Sequence, residues 1–73
     1  MDEMQSHAIH TIPVADGWEN RLADSQAPLS RHASKMDAVH TGRTLARERG
    51  TALVVHRRDG APPARLECRP RRA

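Results

Sequence analysis

Aromatic residues are almost missing from this chain: Trp18 stands alone, with no Phe and no Tyr among 73 residues. That excludes a base-stacking platform built from several aromatic rings. Cysteine is nearly missing too. Cys68 is the only one, so no internal disulfide can form, and the framework that small secreted domains depend on is excluded. No apolar run approaches the ~20 residues of a membrane-spanning helix. The opening Met1-Asp2-Glu3-Met4 is acidic where a secretory leader needs basic residues. These absences point to a cytoplasmic chain with no membrane partner. Hydrophobic residues make up 37% of the sequence, below the usual globular share. A chain this short buries only ~60% of its unfolded surface. A large enzyme, a repeat array and a second independent core are excluded.

What is present is charge, unevenly spread. Six acids and three bases in residues 1–37 give −3, whereas nine arginines and three acids in residues 38–73 give +6. Of the 12 bases, all but Lys35 are arginine. The guanidinium fork matches phosphate and carboxylate geometry, so the basic half suggests an anionic partner without naming it.

Residues 1–6 read as a flexible tail, 7–68 as a single small domain and 69–73 as a basic flexible tail. Within the domain, Ala8 to Val14 carries β-branched residues and reads as a first strand, with Pro13 at its end or on an edge. Ala15-Asp16-Gly17 signals a hairpin turn. Trp18 to Leu22 follows as a second strand, with Trp18, Asn20 and Leu22 on one face by the period of two. Asn20 is out of place on an apolar face. Leu29 to Arg31 reads as a short third strand.

The helix is better marked. Ser34 is placed to cap it, with Asp37 three residues on. Ala38, Val39, Gly42, Leu45 and Ala46 form one stripe. Gly42 costs ~1 kcal/mol relative to alanine in mid-helix, so its place on the stripe implies close approach to a sheet. Gly50 suits the residue after the last turn, behind Arg47 and Arg49 at the negative end of the dipole. Ala52 to His56 reads as a central strand with both faces apolar. Asp59-Gly60 marks a second turn, and Ala64 to Cys68 reads as a final strand beyond Pro62-Pro63.

Several pieces recur in a fixed order: Ile9-His10-Thr11-Ile12-Pro13, then Asp16-Gly17-Trp18, then Leu45-Ala46-Arg47-Glu48-Arg49-Gly50, then Leu53-Val54-Val55-His56-Arg57-Arg58-Asp59-Gly60. Over residues 8–60 this set resembles the small bacterial domain-of-unknown-function 2188 family, whose members run I-H-V-V-P, D-G-W, A-x-x-L-A-x-x-x-G and L-V-V-H-G-R-D-G. The chain departs from that pattern at Arg57, which replaces a glycine, and at Ala61-Pro62-Pro63, where the family continues with a basic strand and an aromatic tail. The resemblance implies a compact α+β fold of a few antiparallel strands on one helix. It implies no activity.

Candidate sites are few. The five histidines include the close pair His7 and His10, but they lack the cysteine partners and spacing of a structural zinc site. No metal and no cofactor is expected. His10 and His56, each in a strand, are candidate partners on the sheet. Cys68 reads as an inert thiol despite Arg65 and Arg69 nearby. No nucleophile elbow, phosphate loop or carboxylate pair is present, so the chain reads as non-enzymatic. On the helix, His40, Arg43 and Arg47 share a face opposite the stripe, and Arg57, Arg58, Arg69, Arg71 and Arg72 could extend it.

The expected architecture is α+β: a small antiparallel sheet of three to five strands in the order β-β-(β)-α-β-(β), with one helix packed on it. Its core should hold Ile12, Trp18, Val39, Leu45, Ala46, Leu53 and Val55. The expected function is that of a cytoplasmic accessory domain. Its sharpest form is weak, sequence-tolerant nucleic-acid binding through Arg43, Arg47, Arg57 and Arg58. The alternative is a protein-interaction module, or a homodimer formed by pairing of an edge strand.

Overall fold

A computed structural model describes residues 8–23, 25 and 27–68. The expected tails at 1–6 and 69–73 lie outside these residues, as do His7, Arg69, Arg71 and Arg72. Six elements follow one another: β1 (Ile9–Val14), β2 (Gly17–Leu22), β3 (Ser30–His32), α1 (Lys35–Arg49), β4 (Ala52–Val55) and β5 (Ala64–Glu67). The strands form one sheet in the spatial order β3-β2-β1-β4-β5, with α1 packed on one face. The α+β architecture and element order match the sequence reading.

The sheet is mixed rather than wholly antiparallel. β1 pairs with β2, β2 with β3 and β4 with β5 antiparallel, but β1 and β4 run parallel. The cause is the crossover. β3 runs in the same direction as β1, and α1 carries the chain back to the starting end, so β4 sets out alongside β1. Parallel neighbours need a long connection of this kind.

The ends of α1 are fixed by local chemistry. Ser34 Oγ accepts a hydrogen bond from the Asp37 amide at 3.1 Å. Gly50 adopts φ 67° and donates its amide to the carbonyls of the last turn, a left-handed position that favours glycine.

Register decides which side chains meet the helix. Ile9, Thr11 and Pro13 of β1 align with Leu22, Asn20 and Trp18 of β2, and Leu53 and Val55 of β4 join the same face. Ala38, Gly42 and Ala46 of α1 are buried against it. Ile9, Ala46, Leu53, Val55 and Cys68 form the core cluster, with Leu22, Val39, Leu45 and Leu66 packed around it. Ile12 is a correction to the expected core. The period of two turns it to the uncovered face, where it is only half-buried.

Asn20 is explained by what surrounds it. It is wholly buried. Its Oδ1 accepts from Thr11 Oγ1 at 2.6 Å, and its Nδ2 donates to Ser30 Oγ at 3.1 Å and to the Ala38 carbonyl at 2.9 Å. One side chain thus ties β1, β2, β3 and α1 together with every amide proton used, as a buried amide requires. Gly42 lies directly above it. A Cβ there would fall 2.8 Å from Asn20 Oδ1 and 2.8 Å from Leu53 Cδ1, so the close approach expected from the sequence is present.

Candidate nucleic-acid interface

The described arginines fall into two groups. On the uncovered sheet face, Glu19 holds Arg21 at 2.8 Å and Arg31 at 2.9 Å. Arg65 and Glu67 of β5, two residues apart on one side of the strand, pair at 2.9 Å. Arg57 reaches Asp59 at 3.6 Å. Arg58 is used differently. Its guanidinium donates to the carbonyls of Val14 and Gly17, each at 3.1 Å, and lies 5.1 Å from the Trp18 ring centre. Lys35 Nζ stands 5.7 Å from the same ring. Trp18, 8% exposed, thus takes two cations on its π system and closes the hairpin end of the core.

Arg43, Arg47 and Arg49 differ from these five. All are exposed, and among the described residues none has a carboxylate within 4.0 Å. Met36, His40, Arg43 and Arg47 are spaced so that they follow one line along the outer side of α1. Met36 is 81% exposed. A shallow concavity of about 480 Å³ beside the stripe is lined by Lys35, Met36, Val39, His40 and Arg43.

The four arginines named from the sequence are therefore not equivalent and do not form one patch. Arg43 and Arg47 share the free stripe. Both of the others follow β4: Arg58 reaches the β1–β2 hairpin and shares the Trp18 ring with Lys35 at the start of α1, and Arg57 pairs with Asp59. From Lys35 to Arg47 the helix rises about 18 Å.

The uncovered face also carries a histidine pair. His10 of β1 and His56, just past β4, approach with Nδ1 to Nε2 at 2.9 Å and ring centres at 5.2 Å. Burial, and then the charge on His10, push the His56 imidazole below its ordinary value. The partnership expected of these two histidines is present. Among the described residues, no three His, Cys, Asp or Glu side chains cluster as a metal site would require. No helix among them is long and apolar enough to cross a membrane.

The sequence reading did not find two of these arrangements, the Asn20 hub and the Arg58 clamp. Asn20 gave a signal as a polar residue on an apolar face. Arg58 gave none, because its partners lie 44 and 41 residues away.

Comparison with known proteins returns no matching curated protein and no matching solved structure. A family model does match. It spans residues 9–64, from the first residue of β1 to the first of β5, and so takes in every element that positions the stripe and the histidine pair. The chain belongs to the DUF2188 family, described as uncharacterized protein conserved in bacteria.

Proposed function

We propose that this domain is a non-catalytic binding module that holds nucleic-acid phosphates along the outer side of α1. Arg43 and Arg47 make the principal contacts and His40 lies between them. One observation carries the reading: these arginines are exposed and have no carboxylate partner among the described residues, whereas Arg21, Arg31, Arg57, Arg58 and Arg65 are each held by an acid or a carbonyl. A free guanidinium needs no internal bond broken before it takes a phosphate. Contacts of this kind position a strand without reading its sequence.

The test is an anisotropy titration of labelled duplex and single-stranded probes over a range of salt. Two phosphate contacts give log K against log salt a slope of about −1.8 on duplex. The double variant R43E/R47E should lose binding to both probes. Absence of binding at low salt, or binding unchanged in that variant, rejects the reading.

Strand addition at β5 is the competing reading. Among the described residues this edge strand pairs only with β4, and three of its four residues are exposed. It requires a mass in solution that rises with concentration, or a captured partner chain. A constant monomer mass with no captured partner removes it.

A further inference from the structure

Beneath the His10–His56 pair lies a cavity of about 400 Å³, on the sheet face that α1 leaves uncovered. His10, His56, Arg21 and Ser25 supply its polar lining, and Ile12 and Ala23 part of its apolar wall. Every polar side chain among the described lining residues can donate a hydrogen bond, and none of those residues is a carboxylate. Glu19 takes a terminal nitrogen of Arg21 at 2.8 Å, which leaves Arg21 Nε buried without a partner. His10 Nε2 is buried without one as well. Ser25 Oγ accepts from the Ala27 amide at 3.3 Å and keeps its own proton to give. Buried polar atoms left without partners are uncommon in folded proteins, and Arg21 and His10, which carry two of them, both line this cavity.

We propose that the cavity is a site for a phosphate-type oxyanion, bound together with a proton taken up by the His10–His56 pair. In the neutral pair a single proton bridges Nδ1 and Nε2. A second proton settles on an outer ring nitrogen, so the direct bond is kept and the pair gains a positive charge and a further N–H. An anionic oxygen in the cavity accepts from that N–H and offsets the charge. Among the described residues, the charged groups on the same sheet face as the pair are Arg21 and Glu19 from β2, Arg31 from β3, and Arg65 and Glu67 from β5. Both of these carboxylates are held by arginine, so among the described residues the charge left for a second proton is that of an incoming anion. The lowered pKa of His56 agrees with a pair that resists protonation on its own. The cavity exceeds a bare phosphate and falls within the size range of small-ligand sites. With Ile12 and Ala23 beside the donors, it suits an organic phosphate with an apolar body.

Sulfate is the first probe, because it keeps its charge across the histidine range. The imidazole resonances of His10 and His56 are followed by NMR against pH, with sulfate and with chloride at equal ionic strength. Sulfate should raise the His56 midpoint saturably, and sulfate affinity should tighten by up to tenfold per pH unit as pH falls through that window. In H56N the coupling should vanish. In R43E/R47E, where the helix stripe is discharged, it should persist. An unmoved midpoint, an equal shift in chloride, or loss of the shift in R43E/R47E overturns the proposal. The wild-type titration decides the matter even if H56N fails to fold. Adenosine monophosphate is the second probe. Binding tighter than sulfate assigns the apolar wall to the ligand's body, and equal binding assigns the site to the free anion. Either result upholds the site.

Discussion

The two sides of α1 obey opposite rules. The inner side, Ala38, Gly42 and Ala46, is buried with no room to spare. The outer side, Met36, His40, Arg43 and Arg47, is exposed, and neither arginine is held by a described acid. One helix therefore carries residues that specify the fold and residues free to act outward. The sheet repeats this division less sharply. Its covered face has a satisfied amide at the centre, and its uncovered face has ion pairs and the histidine pair.

Substitutions can break or sharpen this contrast. Gly42→Val places carbon where Asn20 and Leu53 already stand. It should lower stability by about 3 kcal/mol or prevent folding, read as a fall in the urea midpoint with an unchanged slope. Asn20→Ala leaves the Thr11 hydroxyl and the Ser30 side chain without their shared partner. Its expected cost is about 2 kcal/mol. A loss as small as that of a surface change would show that Asn20 is not the hub.

Arg58→Ala and Arg47→Ala compare one residue type in two settings. Arg58→Ala removes two bonds to the hairpin and the contact with Trp18. It should cost about 1 kcal/mol, since Arg58 is exposed and water replaces part of what is lost. Arg47→Ala should stay within about 0.5 kcal/mol. Equal losses in the two would erase the distinction between tied and free arginines.

The smallest expected effect is on pH dependence. The folded state holds His56 below its ordinary pKa, chiefly through burial and then through the charge on His10. Protonation therefore favours the unfolded chain. The stabilising contribution is fully present above the ordinary histidine value of about 6.5 and is lost as pH falls through the folded value. Replacing His56 by Gln should flatten this part of the stability profile. A profile unchanged by His56→Gln would show that the pair contributes no pH dependence.

Much of this architecture was legible from short stretches. Ser34 and Gly50 marked the helix ends because capping acts within one turn. Gly42 announced close packing because a glycine on an apolar helix stripe has no other evident use. The alternation of Trp18, Asn20 and Leu22 assigned the covered face correctly, and His10 and His56 were paired from their places in two strands. Ile12 has the hydrophobicity of a core residue, but the phase of β1, set by Ile9 and Thr11, turns it to the uncovered face. The arginines were grouped by closeness in sequence and charge. Neither property reports whether a carboxylate or a carbonyl stands opposite in the folded chain.

Local chemistry alone specified the helix limits, the hairpin at Asp16-Gly17, the strand segments and the basic second half, since each depends on residues a few positions apart. Folding decided the parallel pairing of β1 with β4, the burial of Asn20 as a hub, the clamp of Arg58 on the hairpin and the meeting of two imidazoles 46 residues apart. Those outcomes depend on register and on the path of the crossover, which bring distant groups within reach of one another. A guanidinium is adhesive or available according to what the fold sets before it, and here that separates Arg58 from Arg47.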